Sequence, residues 1–219
     1  MGWHPLLTEF IDYVIQNPAQ LGMLIRQHLA LTFWSVIIAG ALAIPFGIVA
    51  TRIQKLGSLL LTIANLGQTI PSIAVLGLVI PFLGIGFVPA VFAFILRALL
   101  PIFLNTYVGV REVDAATTEA ARGLGMRDLQ VLLHVELPLA SPVILAGIRT
   151  TAVQTVAIAT FAAFIGAGGL GDLILQGLAM MDTGRLLAGG IPVAILAILM
   201  EIGLGWFEKW ITPKGLRRT

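Results

Sequence analysis

Long apolar runs dominate this chain, and its few charges fall between them. The run 29–51 is uncharged throughout and long enough to cross about 30 Å of hydrocarbon as a helix. Pro45 lies inside it as a site for a kink, and Arg52 and Lys55 follow it. From residue 56 to residue 96 no side chain is charged, which is too much for a single pass. The segment PFLGIGFVP, residues 81–89, supplies the break, because clustered proline and glycine interrupt helices. The pattern therefore predicts a second span at 58–80 and a third at 86–110, the third carrying Arg97 near its middle. A fourth span is predicted at 142–167, with Arg149 in its first turns, and a fifth at 186–207, with Glu201 near its end. The glycine-rich segment GAGGLGDL, followed by Asp172, Asp182 and Arg185, joins these two and reads as a tight turn. Ahead of the spans, residues 6–16 place Leu6, Leu7, Phe10, Ile11, Val14 and Ile15 at helical spacing. That spacing fits a short amphipathic helix at the interface, ended by Pro18; a frayed terminus is the other reading. The predicted fold class is an all-α integral membrane protein with five transmembrane helices, in which 1–27 precede the membrane domain 28–208 and 209–219 form a tail.

Between spans 3 and 4 lies a polar island, residues 111–141. Its centre, EAARGLGMRDLQVLLHVELP, holds Glu119, Arg122, Arg127, Asp128 and Glu136. The stretches 115–124 and 127–135 both favour helix, Gly123 and Gly125 stand between them, and Pro138 closes the segment. Linking two spans does not need this much structure. One reading is a solvated interfacial loop. The other is a docking element with a small apolar face and a charged rim, shaped for a cleft on a soluble partner.

Composition strengthens the membrane reading. The chain has 219 residues, of which 58% are hydrophobic and 11% charged, with a mean hydropathy of +0.99. Soluble domains carry about 25% charged residues, and a globule of this length cannot hide so much apolar surface from water. There is no cysteine, hence no disulfide framework or thiolate metal site. The net charge of +2 gives no reason to expect a nucleic-acid partner. Residues 1–27 lack a basic start followed by an apolar run and carry Glu9 and Asp12, so they do not read as a cleavable signal peptide. Charge placement sets the expected orientation. One set of flanks holds Arg52, Lys55, Arg111, Arg122, Arg127, Arg149, Lys209, Lys214, Arg217 and Arg218; the other holds Arg26 and Arg185. The basic set is expected in the cytoplasm, which puts the N-terminus outside, the C-terminus inside and the polar island in the cytoplasm. The histidines, His4, His28 and His134, are scattered, and no acid/base or nucleophile constellation converges, which argues against an enzyme and against a metal site. No G-x-x-x-x-G-K-[ST] phosphate loop is present, so energy is expected from elsewhere.

The island carries a resemblance. Glu119, Ala120 and Ala121, then Gly125, then Val135, Leu137 and Pro138 resemble the EAA loop of ABC-importer permeases: E-A-A, three residues, Gly, nine residues, Ile, any residue, Leu-Pro. Val135 stands in the isoleucine position. The five-span layout is similar to the methionine-permease type of type I importer over roughly 25–210. The resemblance implies an elbow seated in a cleft of a cytoplasmic ATPase subunit, with Glu119 as polar anchor, Gly125 as the turn, and Leu137–Pro138 fixing the return into span 4. It implies two copies of that ATPase, which would hold ATP and magnesium. It also implies a second permease copy or homologue, surrounding membrane lipid, and a separate extracytoplasmic binding protein that selects the cargo and docks near the GAGGLGDL turn, with no cofactor on this chain and no binding domain fused to it. The expected location is the cytoplasmic membrane of a prokaryote.

Two further stretches resemble the branch that imports glycine betaine, choline, carnitine and similar osmoprotectants: NLGQTIPSIAVLGL at 65–78 and ALLPIFLNTYVGV at 98–110, with GAGGLGDLI after span 4. In that branch a basic residue commonly precedes the Asn-Thr pair. Here Leu104 stands there, and Arg97 lies seven residues earlier, about two helical turns deeper on nearly the same face. An arginine at mid-span costs roughly 2.5–3.5 kcal/mol on insertion scales, so Arg97 needs water or a polar partner. It reads as a pathway or gate residue or as half of a structural pair. Asn65, Gln68, Thr69 and Ser72 on span 2, Asn105 and Thr106 on span 3, and Gln154 and Thr155 on span 4 read either as pathway lining or as interhelical hydrogen bonding. Pro71 frees a carbonyl that must be satisfied internally or by cavity water. Aromatic residues are few and scattered, so no cage for a quaternary ammonium is expected in this chain. The expected function is passage of an osmoprotectant; a methionine or other amino-acid importer is the alternative within the class, and a non-transporting membrane scaffold the alternative outside it.

Overall fold

The computed structural model describes residues 3–212; Lys214, Arg217 and Arg218 of the predicted tail lie outside them. Every regular element among the described residues is helical. The amphipathic helix predicted at 6–16 is α1, Trp3–Gln16. Asn17 breaks it, and Pro18 opens α2, Pro18–Arg52. Proline in the first turn of a helix sacrifices no donor, so Pro18 ends α1 as expected, by holding Asn17 out of helical backbone, and also begins the next helix. The first span therefore starts well before residue 29. Its 35 residues reach about 52 Å at 1.5 Å each, more than the hydrocarbon core needs. The surplus is packed: Leu24 clusters with Leu170, Leu173 and Ala188, and Phe10, Tyr13, Leu21 and Ile25 lie against them.

The predicted second span is not one helix. Helices α3, Gln54–Gln68, and α4, Ser72–Leu83, meet at 100°. Pro71 lacks an amide hydrogen and disfavours helical backbone at Ile70, so the ladder stops at Thr69 and restarts at Ser72. Gly84 and Gly86, at φ +77° and +111°, then turn the chain into α5, Phe87–Arg111, one residue from the predicted bounds of the third span.

The polar island folds as α6, Ala115–Gly123, and α7, Asp128–Val131. The second of these is not separate from the fourth span. It runs through a π turn, Leu132–Glu136, into α8, Leu137–Ile158, and on through a 3-10 stretch, Ala159–Ile165. Pro138 thus sits in the first turn of α8 and does not close the island. The π turn before it, closed by Leu137 N–H on the Leu132 carbonyl, gives the ring room against the preceding turn. Arg149 consequently lies about three turns into α8, deeper than predicted. The glycine-rich segment does turn at Gly166, Gly168 and Gly169, all at positive φ, but then forms a helix that was not expected, α9, Gly171–Met180. Helix α10, Thr183–Ile211, extends the predicted fifth span at both ends and is capped by Asp182, which accepts from the Arg185 amide at 3.0 Å.

Among the described residues four helices are long and apolar enough to cross a membrane, and the bent pair α3–α4 adds a fifth if its two halves make one broken span. Helix α2 packs on α5, α5 on α8, and α8 on α10. Close approach depends on glycine: a Cβ on Gly47 would meet Thr106 at 2.8 Å, and one on Gly147 would meet Asn105 at 2.5 Å.

At Gly171 an added Cβ would sit on the Thr160 carbonyl, whereas at Gly22 it would find nothing within 4 Å. Gly171→Val should cost about 3 kcal/mol or more by overpacking against backbone. Gly22→Ala should gain roughly 0.5–1 kcal/mol from helix entropy. Thermal unfolding of the detergent-solubilised chain reads both, and similar effects at the two sites would contradict this packing.

Candidate functional site

The elbow is built from its caps outward. Asp114 accepts from the Ala116 and Thr117 amides, at 3.3 and 3.2 Å, and so starts α6. The helix ends in a Schellman motif. Met126 N–H donates to the Ala121 carbonyl and Gly125 N–H to the Arg122 carbonyl, at 3.2 and 2.9 Å, with Gly125 at φ +88°. Nothing lies within 4 Å of a Cβ added there, so backbone conformation and not space requires the glycine. Helix α7 restarts at once: the Gln130 side chain accepts from the Arg127 amide at 2.8 Å, and Arg122 pairs with Asp128 at 3.3 Å. Ala121 and Val131 are the buried residues between the arms. Outward, Leu124 is 85% exposed, Leu129 and Leu133 are exposed too, and Glu119, Ala120, Arg122 and Arg127 are exposed around them. The tip therefore has an apolar face with a charged rim.

The base of the elbow is clamped. Glu136, in the π turn, is 5% exposed, and both its oxygens take up the Arg52 guanidinium: Nη1 donates to Oε1 at 3.1 Å and Nη2 donates to Oε2. Leu137 packs on the cluster of Val110, Ala140 and Ile144, and Val135 is half-buried beside it. Sequence reasoning counted Arg52 and Glu136 as charges and assigned neither to the site. A lone acid in the apolar run from Val131 onward was the available signal, because such a group must find a cation.

Among the eight predicted pathway residues the structure brings two together. Arg97 Nε donates to the Ser72 hydroxyl at 3.2 Å, joining the middle of α5 to the first residue of α4 at the break in span 2. Arg97 lines a cleft of about 800 Å³ between α3, α4 and α5, whose other walls, from Gly67, Leu78 and Phe82 to Phe92 and Leu96, carry no charge. Gln68 and Thr69 end α3 beside the break, the Thr69 hydroxyl donating to the Leu66 carbonyl at 2.7 Å, and Asn65 is exposed one turn earlier. The other three lie elsewhere. Thr106 is buried against Gly47 and donates to the Ile102 carbonyl at 2.8 Å; Asn105 packs on Gly147 and donates to the Pro101 carbonyl at 2.8 Å. Gln154 is exposed on α8, next to a buried Thr155 that donates to Thr151. A second charged group was only half seen: Arg149 is held by Glu201 at 3.2 Å and Glu208 at 2.8 Å, two turns apart on one face of α10.

A sequence profile of the family of binding-protein-dependent transport system inner membrane components matches residues 43–213. The chain is similar to the carnitine transport permease protein of Listeria monocytogenes, 46% identical over 211 residues, which are 96% of this chain and 97% of that protein. It is similar to the choline transport system permease protein of Bacillus subtilis strain 168, 40% identical over 212 residues, 97% and 98% of the two chains. In fold it is similar to a chain of a methionine ABC transporter in an inward-facing conformation, with a TM-score of 0.83 at 23% identity over 90% of this chain and 99% of that one.

Removing one partner of the clamp leaves the other without its counter-charge. Glu136→Ala should lower stability by about 1–3 kcal/mol. A double-mutant cycle with Arg52→Ala should return a coupling of roughly 1–2 kcal/mol, read by thermal unfolding in detergent; additivity of the two single changes would mean no clamp exists.

Proposed function

The chain belongs to the family of binding-protein-dependent transport system inner membrane components, and we propose that it is the permease subunit through which an importer passes an osmoprotectant such as carnitine, glycine betaine or choline. The likeness over nearly the whole chain to permeases named for carnitine and choline supports that cargo. The fold shared with a methionine transporter at 23% identity supports the architecture and carries no weight on cargo. The observation on which the mechanism rests is the elbow: leucines exposed on a glycine-closed turn and rimmed by charge.

In this reading two copies of a cytoplasmic ATPase, carrying ATP and magnesium, each take up one elbow. Glu119, Ala120, Ala121 and Gly125 form the seated arm, and Val135, Leu137 and Pro138 return the load to α8. Nucleotide-driven closure moves the paired elbows, and the spans rock between inward and outward openings. A second permease copy or homologue completes the pathway, and an extracytoplasmic binding protein delivers cargo to the side holding α9. The N-terminus lies outside and the C-terminus inside. Asn65, Gln68, Thr69, Ser72, Arg97, Asn105, Thr106 and Gln154 are the polar groups offered to the pathway or to the packing of its walls.

The absence of native cysteine makes the topology directly testable. A cysteine placed at Leu124 should react with a membrane-impermeant maleimide in inside-out vesicles and not in intact cells. Leu124→Glu combined with Leu129→Glu should abolish co-purification of the ATPase and lower osmoprotectant uptake at least tenfold while the chain still inserts. Labelling of Leu124→Cys from outside, or full uptake by the double variant, would overturn the docking assignment.

A further inference from the structure

The chain treats its deeply placed arginines unequally. Arg149, well inside α8, has two carboxylates from α10. Arg97, at the middle of α5, has none within ion-pair distance among the described residues, and its hydrogen bond there is the one from Nε to the Ser72 hydroxyl. No acidic residue occurs between 56 and 110, so none of the elements that build the cleft can supply one. A guanidinium has five N–H donors, of which the bond to Ser72 uses one, and the remaining lining of the cleft offers no acceptor side chain. An unneutralised cation at this depth is expensive and marks a polar path or a missing anion.

The surroundings reinforce the same sign. Helix α4 begins at Ser72, beside Arg97, and no side chain caps it, so the positive end of its dipole adds to the arginine's field. Toward the other end of the same cleft the walls include Phe82 and Phe92. Phe92 is five residues from Arg97, about 7.5 Å along the helix axis. The aromatics that look scattered in the sequence thus share one wall system with the cation. Aromatic faces attract quaternary ammonium groups, and arginine binds carboxylate through paired donors. The cleft therefore has a positive, hydrogen-bond-donating end and an aromatic, apolar end. That polarity suits a zwitterion bearing a carboxylate and a trimethylammonium group, and it opposes a cargo that is a cation alone.

We propose that Arg97 is a transient subsite for the carboxylate of a zwitterionic cargo, so that this permease passes betaine-type zwitterions in preference to free cations such as choline. The proposal rests on the osmoprotectant reading above and narrows it. Binding-protein selection and permease selection are then two successive filters, and Arg97 sets the second.

The test uses the whole importer, reconstituted in proteoliposomes with its ATPase and binding protein, the latter saturated with radiolabelled glycine betaine or choline so that the permease sets the maximal rate. Arg97→Gln should lower betaine uptake at least tenfold and raise the choline-to-betaine ratio at least tenfold. Arg97→Lys, which keeps the charge but not the paired donors, should lower betaine uptake less than Arg97→Gln does. Choline uptake by the Gln variant reports that the complex has assembled. Loss of both solutes by the same factor, equal behaviour of the Gln and Lys variants, or an unchanged ratio would overturn the subsite. An unmodified importer that carries neither solute would instead overturn the cargo reading on which the subsite depends.

Discussion

Hydrocarbon offers no hydrogen-bond partner, so every departure of this chain from straight helix has to be closed from within. That constraint explains where the irregularities are and what holds each of them. The break at Thr69–Pro71 is bridged by Arg97 to Ser72. The 3-10 stretch after α8 ends in glycines, and there Gln27 of α2 accepts from the Gly169 amide at 3.1 Å while His28 bonds the Val156 carbonyl through Nε2 at 2.9 Å. The π turn at the base of the elbow carries Glu136, whose charge is met by Arg52. In each place a polar side chain from another helix crosses to the irregular segment, so the bends also fix which helices are neighbours.

The straight parts follow a different rule. Between helices in lipid the apolar driving force largely vanishes, and contact area and small residues decide packing. Helix α5 is gripped on two sides through glycines: Gly47 of α2 receives Thr106, and Gly147 of α8 receives Asn105. The hydroxyl and the amide involved bond within their own helix. Their polarity therefore costs little, and their shape is what the neighbouring helix meets.

Much of this was legible in the residues. Uncharged runs located the four long apolar helices and the bent pair, and the third span came within one residue of its observed bounds, because proline, glycine and charge bracket it closely. The elbow's turn was legible at Gly125, since a helix stop at a positive-φ glycine is a local event. What stayed hidden depended on partners distant in sequence. Nothing near Pro71 distinguishes a kinked span from a right-angled break, and the hydrogen bond that spans the break comes from Arg97, 26 residues away on α5. Pro138 looked like a stop because a π turn cannot be read from propensity. Helix α9 was masked by the glycines that precede it, which serve the close pass of Gly171 by Thr160. Phe82 and Phe92 looked unrelated because the turn at Gly84 and Gly86 folds α4 back along α5.

The continuity of α7, the π turn and α8 bears on how an elbow could do mechanical work. A flexible loop would dissipate displacement in its own dihedrals. Here the Schellman closure fixes one arm to the other, and the second arm is the beginning of a helix that crosses the membrane. The clamp of Glu136 on Arg52 ties that beginning to the end of α2, so the elbow cannot move without carrying the junction of α2 and α3 with it. Helix α8 in turn lies against α5 at Gly109 and Gly147, and α5 bears Arg97 against the broken span. A push at the leucine tip would therefore reach, through packed helices and charged ties, the stretch of α5 where Arg97 has no carboxylate partner. The ties at Arg52 and Arg149 are neutralised by carboxylates, whereas Arg97 at the cleft has none beside it.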